Sequence, residues 1–140
     1  HFTSRLDNSL VRSVDDVFGL IDSKREQIVD ARAAARFRGE APEPRAGLRG
    51  GHMPGAFNLP YNELLDPATG TMLPADKLAA RIAASGIDPA KKVTASCGSG
   101  VTACVIALGL YLTGAPEAAV YDGSWTEWGG RTDTPIVTGP

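Results

Sequence analysis

Between Val93 and Leu112 the chain runs through a short apolar stretch, Val93-Thr94-Ala95-Ser96, and then through Cys97-Gly98-Ser99-Gly100. A long apolar segment with helical spacing, Val101–Leu112, follows at once. An apolar strand that yields to a glycine-punctuated turn and a helix within six residues commits its surroundings to an α/β layer. Such a helix has to return over the sheet before the next parallel strand can form. The other segments agree. Ser13 and Asp16 have the spacing of a helix capping box, and Val14, Val17, Phe18 and Ile21 share one helical face. Gln27–Asp30 reads as a short buried strand and Ala56–Leu59 as a second one. Pro74 opens a helix whose inner face carries Leu78, Ala79, Ile82 and Ala83, and Gly86 ends it. Ala118–Tyr121 is a further strand, followed by a turn at Asp122-Gly123-Ser124 and a short segment with Trp125 and Trp128. The alternation predicts an α/β fold with a small parallel sheet and right-handed crossovers.

At 140 residues the length suits one domain, and 43% hydrophobic residues are enough for one core, which sets aside disorder, coiled coil and collagen-like repetition. No apolar stretch reaches the roughly 20 residues that cross a bilayer, so no membrane partner is expected. No charged-then-apolar leader opens the chain, and a cytoplasmic location is the expectation. A formal net charge of −2 argues against nucleic acid as a partner. Ten of the fourteen basic residues are arginine, and five of these crowd between Arg32 and Arg49, a local excess suited to a small anion. The Arg-over-Lys and Ala/Gly-rich composition points to a bacterial source. The stretch from Phe37 to Pro54 is rich in Gly, Pro and Arg, and long loops of this kind are often functional. Gly129–Pro140 has little helix or strand character.

Chemistry concentrates at Cys97. Glycines at 98 and 100 let successive N–H groups converge on one spot, and the following helix adds its positive end, so a thiolate at this place is stabilised. A buried structural cysteine beside a tight turn is the alternative reading. Cys104 is expected to pack in the core. Two cysteines are too few for a disulfide framework, and His1 and His52 share no metal-ligand spacing with them, so no metal and no cofactor are expected. A cysteine-dependent phosphatase needs an arginine six residues after the nucleophile, where this chain has Ala103. A cysteine protease would depend on His52, which sits in the turn Gly51-His52-Met53-Pro54-Gly55-Ala56 and reads as a backbone-bonded residue. Arg38 and Arg49 read as solvated charges. Trp125 and Trp128 read as packing residues.

Asp30-Ala31-Arg32, then Gly51–Ala56, then Cys97-Gly98-Ser99-Gly100-Val101-Thr102, then Tyr121-Asp122-Gly123-Ser124-Trp125-Thr126-Glu127-Trp128 resemble the rhodanese family in order and spacing. Within that family they are most similar to the C-terminal catalytic domain of two-domain 3-mercaptopyruvate sulfurtransferases. The resemblance implies a three-layer rhodanese-like fold over residues 10–131. Residues 1–9 would then be a linker or tag remnant, and 132–140 a tail. It also implies that the chain is part of a longer protein with a further rhodanese-like domain on its N-terminal side. The implied activity takes a sulfur atom from 3-mercaptopyruvate, holds it as a Cys97 persulfide and passes it to a thiol, such as thioredoxin, or to cyanide. Ser99 would polarise the donor. Gly98, Gly100, Val101 and Thr102 would bind it through the loop, and Arg36 and Arg45 match the family's carboxylate-binding pair. A guanidinium fork suits a planar carboxylate through two parallel hydrogen bonds. Relatives that prefer thiosulfate carry basic residues after the cysteine, where this chain has Gly98 and Ser99. A thiosulfate-preferring enzyme and a non-catalytic binding module are the two rival readings.

Overall fold

Strands Val11–Arg12 (β1), Gln27–Asp30 (β2), Phe57–Asn58 (β3), Val93–Ser96 (β4) and Ala119–Tyr121 (β5) form one sheet in the order β1-β5-β4-β2-β3, every pairing parallel. The computed structural model describes all residues from His1 to Pro140. β4 is central. It pairs along its whole length with β2, from Gln27 opposite Val93 to Asp30 opposite Ser96. Helices Val14–Ser23 (α1), Ala34–Phe37 (α2), Ala75–Ala84 (α3), Ala103–Leu112 (α4) and Ser124–Trp128 (α5) connect the strands, with tight single turns at Asn8–Leu10 and Tyr61–Leu64. No helix is long and apolar enough to cross a membrane.

Alternating side chains on each strand feed two separate cores. Val29, Val93, Ala95 and Cys97 point to one face and pack with Leu78 and Ile82 of α3 and Ala103, Ile106 and Leu110 of α4. Ile28 and Tyr121 point to the other face, with Val17 and Leu20 of α1, Met53, Trp125 and Trp128. The arrangement is helix layer, sheet, helix layer, the α/β fold expected from the sequence. Both tryptophans are fully buried. Trp128 packs against Phe18, with ring centroids 4.9 Å apart, and meets the Tyr121 ring edge-on. Ser13 and Asp16 close the capping box at the start of α1, through Asp16 N–H to Ser13 Oγ at 3.2 Å and Ser13 N–H to Asp16 Oδ2 at 2.8 Å. Gly86, at φ +84°, follows the end of α3 in the left-handed conformation that a glycine accepts without strain.

Four expectations change. Ala34–Phe37 folds as a single turn of helix at the head of the long loop, with no capping side chain to announce it. The long helix begins at Ala103 rather than Val101, because Val101 and Thr102 belong to the turn. Cys104 is exposed, not packed, and its thiol lies 3.6 Å from the Gly100 carbonyl one turn back. Arg49 is no free surface charge. Its guanidinium donates to the carbonyls of Gly129, Trp128, Arg131 and Thr134 and to the Thr134 hydroxyl. That clamp draws residues after Arg131 onto the body. His52 and Val137 exchange backbone hydrogen bonds at 2.9 and 3.0 Å, and Trp128 Nε1 donates to the Pro135 carbonyl. His52 has the backbone-bonded role read from the sequence. Its Nδ1 lies 2.8 Å from the Phe37 carbonyl, and its ring stacks on Phe37 at 3.6 Å.

Removing the clamp is a direct test of how the tail is held. Arg49→Ala is expected to cost about 2 kcal/mol, since hydrogen bonds from a charged donor contribute roughly 1.5–3 kcal/mol. Urea unfolding measures the loss, and hydrogen exchange is expected to quicken at the amides of residues 134–139.

Candidate active site

The centre of the site is a buried sulfur. Cys97 follows the last residue of β4 at the carboxyl edge of the sheet, the edge at which open α/β folds bind ligands, and is 1% exposed. Burial alone pushes its thiol up, because charge is penalised away from water. The Thr102 hydroxyl and the N–H groups of Ala103, Ser99 and Gly100 outweigh that effect, so the thiol stands below its ordinary value. The Gly100 N–H donates to Sγ at 3.0 Å. Thr102 occupies the N-cap position of α4 yet makes no side-chain capping bond, which leaves its hydroxyl for the sulfur. A turn this tight requires Gly100 at φ +90°, and a Cβ there would stand 2.7 Å from the Asp122 carbonyl oxygen.

Below the turn, α5 fixes its direction. The N–H groups of Trp125 and Thr126 donate to the carbonyls of Cys97 and Gly98, each at 2.9 Å, and the Thr126 hydroxyl adds a second bond to Gly98 at 2.7 Å. Ser124 Oγ accepts from the Cys97 N–H at 3.0 Å and donates to the Tyr121 carbonyl at 2.8 Å. With the first two carbonyls of the loop held toward α5, the amides that follow are free to face the sulfur. Ser124 takes φ +49°, uncommon for a residue with a side chain, to make this buttress. Sequence reasoning gave Ser124 and Thr126 no role. The signals for them were the turn at Asp122-Gly123-Ser124 and their place in the Tyr121–Trp128 stretch that carries the resemblance.

Beside the loop lies a cleft of about 190 Å³ lined by Arg36, Glu43, Pro44, Arg45, Leu48, Gly98, Ser99 and Thr126. The structure therefore brings Arg36, Arg45, Gly98 and Ser99 together. Gly100 and Thr102 serve the sulfur from the other side, and Val101 is 71% exposed with its side chain outside the cleft. Arg36 donates to Glu43 through Nη2 at 2.6 Å and Nε at 3.3 Å, while Arg45 reaches only the Thr126 hydroxyl, at 3.3 Å. Arg32, singled out in the Asp30-Ala31-Arg32 motif, is buried. It bonds Asp30, Glu43 and the Gly51 carbonyl, and its guanidinium carbon lies 4.1 Å from the centre of the Trp125 ring. Arg38 stays at the surface, paired with Glu40. Glu43 is a third residue that the sequence reading left without a role.

A parallel α/β sheet with a thiol held below its ordinary value in an amide cradle at its carboxyl edge, next to a guanidinium-lined cleft, defines a cysteine-centred α/β domain. Residues 13–131 match the model of the rhodanese-like domain, and the chain belongs to the rhodanese family. It is 43% identical over 127 residues to 3-mercaptopyruvate sulfurtransferase of Rattus norvegicus, covering 91% of this chain and 42% of that protein. It is equally 43% identical over 128 residues to thiosulfate sulfurtransferase of Bos taurus, covering 91% of this chain and 43% of that protein. Among solved structures, SseA from Escherichia coli, described as a 3-mercaptopyruvate sulfurtransferase with the rhodanese fold, superposes with a TM-score of 0.74 at 39% identity. That match covers 89% of this chain and 45% of the other. The chain thus spans less than half the length of the curated relatives it matches.

The lowered thiol makes a pH prediction with a definite sign. Thiolate is the reacting form, so alkylation of Cys97 by iodoacetamide is expected to rise with pH to a midpoint below the ordinary thiol value of about 8.5 and then level off. Thr102→Val removes a donor to the charged form and moves that midpoint upward. Gly100→Ala, which forces the turn open against the Asp122 carbonyl, moves it upward as well. Peptide mass spectrometry separates alkylation of the exposed Cys104 from that of Cys97.

Proposed function

We propose that the protein is a sulfurtransferase that takes sulfur from 3-mercaptopyruvate onto Cys97 and delivers it to a thiol or cyanide. The observation that carries this reading is the set of four donors converging on a buried sulfur. They stabilise negative charge on Sγ before the reaction and are in reach of the outer sulfur of a persulfide after it. The Cys97 thiolate attacks the donor's sulfur. A new S–S bond forms, the donor's C–S bond breaks, and the electron pair leaves as the enolate of pyruvate. The proton of the donor's thiol passes to that enolate carbon, assisted by the hydroxyl of Ser99, which is exposed and lines the cleft. The products are pyruvate and a Cys97 persulfide anion. In the second half, a thiolate or cyanide attacks the outer sulfur, the S–S bond breaks and Cys97 returns as thiolate. Atoms and charge balance in both halves with no metal or organic cofactor, and the order is ping-pong.

Donor choice follows from where the cations sit. The residues directly after the cysteine, Gly98 and Ser99, carry no charge, so the loop offers amides and the Thr102 hydroxyl, and no cation, to the transferred sulfur. Arg36 and Arg45 line the cleft beside Gly98 and Ser99, where a carboxylate two carbons from the donor sulfur can reach them. A compact dianion such as thiosulfate has no carboxylate set apart from its sulfur for that pair to grip. Relatives named for each donor are equally identical to this chain, so the cleft geometry, and not overall likeness, supports mercaptopyruvate.

Treatment with 3-mercaptopyruvate is expected to add one sulfur to the tryptic peptide that holds Cys97, and Cys97→Ser is expected to abolish both the adduct and thiocyanate formation while leaving the fold intact. Absence of the adduct on the wild-type protein would favour a non-catalytic binding module. In steady-state assays, Arg36→Ala with Arg45→Ala is expected to lower kcat/KM for mercaptopyruvate by about a hundredfold, as loss of two charge-assisted contacts predicts, and to affect thiosulfate far less. Equal losses for the two donors would refute the carboxylate assignment.

A further inference from the structure

The two cleft arginines are held in different ways, and the difference traces to one carboxylate. The Glu43 side chain is 1% exposed although it comes from a surface loop. Its Oε1 accepts from Arg32 Nη1 at 2.7 Å and from Arg36 Nε at 3.3 Å, and its Oε2 accepts from Arg36 Nη2 at 2.6 Å. Arg32 is in turn held by both oxygens of Asp30 at the end of β2, by the Gly51 carbonyl and by the Trp125 ring. A rigid path therefore runs from the end of β2 through Arg32 and Glu43 to Arg36. The Arg36 guanidinium ends against the loop, with Nη2 only 3.2 Å from where a Cβ on Gly98 would stand. Nη1 is the one nitrogen of Arg36 with no partner in the protein. Arg45 has no such brace: it is exposed, and one long bond to Thr126 is its only tie.

We infer that Glu43 is a positioning residue that locks Arg36 over Gly98 with its Nη1 edge turned to the cleft, so that the donor's carboxylate meets one preset guanidinium and recruits the free Arg45 to it. The inference rests on the reading of the cleft as the site for a carboxylate-bearing donor. A preset contact lowers the ordering cost of binding, because a long arginine side chain otherwise loses rotamer freedom when the donor arrives. Glu43 itself touches neither the sulfur nor the cradle, so its effect belongs to donor binding and not to the reactivity of Cys97.

Glu43→Gln tests this, since it keeps the size and one acceptor oxygen while removing the charge that braces Arg36. The expected result is a rise of about tenfold in KM for 3-mercaptopyruvate with kcat near the wild-type value, as for loss of a contact made equally in ground and transition states. The pH midpoint of Cys97 alkylation by iodoacetamide is expected to stay where it is in the wild type. In an Arg36→Ala background the same change is expected to add nothing further, since the two residues act as one unit. A fall in kcat with unchanged KM, or a shifted alkylation midpoint, would overturn the inference in favour of a merely structural role. If Arg36→Ala raises KM and Glu43→Gln does not, the positioning role fails and the carboxylate reading survives. If Arg36→Ala leaves KM alone, both fail. Circular dichroism and a urea midpoint on Glu43→Gln establish that the variant compared is folded. Should it be unfolded, Glu43→Asp, too short to span Arg32 and Arg36 together, takes its place with the same expected outcomes.

Discussion

Holding a negative charge on a sulfur that water hardly reaches is the demand to which the rest of this structure answers. A thiolate removed from solvent loses its hydration, and only donors fixed in advance can replace it. Here they come from one contiguous run, Ser99 to Ala103. A run that short can surround a single atom only by doubling back within a turn. The doubling back uses the left-handed conformation of Gly100, and the space for it exists because no side chain stands between Gly100 and the Asp122 carbonyl. The position of the loop between β4 and α4 then adds the unsatisfied amides of a helix start on the same side.

A cradle of backbone amides is only as rigid as the peptides that form it. Four hydrogen bonds between the head of α5 and the first two residues of the loop fix those residues, and α5 is itself held by two fully buried tryptophans. The second aromatic layer is therefore part of the site, although no tryptophan approaches the sulfur. Trp125 serves twice, since its indole Nε1 donates to the Arg49 carbonyl and its ring lies under the Arg32 guanidinium. Arg32 and Arg36 with Asp30 and Glu43 make a charge-balanced set of two cations and two anions. Buried ion pairs contribute little net stability, and the return on this one is geometric: it fixes where a guanidinium stands.

Much of this was legible from residue order. Strands β2 and β4 stand at the residues read from the sequence, because continuous apolar runs bounded by breakers admit few alternatives. The capping box of α1 and the glycine stop after α3 follow from local chemistry that distant contacts do not disturb. Cys97 was legible because glycines on both sides of Ser99 exclude regular structure at that place. The failures share a cause. α4 is apolar on every side, so periodicity gives no clue to which face is covered, and Cys104 falls on the open one. Arg49 and Glu43 look like surface charges because their partners are set by the fold: Arg49 meets carbonyls some eighty residues away, and Glu43 meets cations on a neighbouring turn that no spacing rule joins. Ser124 and Thr126 act through backbone bonds to residues nearly thirty positions earlier.

The separation of the two electrostatic tasks has a consequence for how such a domain changes its substrate. Charge on sulfur is held by three backbone amides and the Thr102 hydroxyl, which substitutions of the side chains lining the cleft leave in place. Recognition of the donor's remainder is given to Arg36 and Arg45, on a loop that runs from β2 toward β3 and shares no backbone hydrogen bond with the cradle. Donor selectivity can therefore drift on the arginine loop while the sulfur chemistry stays constant. The link between the two halves is Gly98, whose missing side chain lets the Arg36 guanidinium rest on the turn. A side chain at that one position would crowd the Arg36 guanidinium and put its own chemistry beside the sulfur, so a single residue couples donor recognition to the loop.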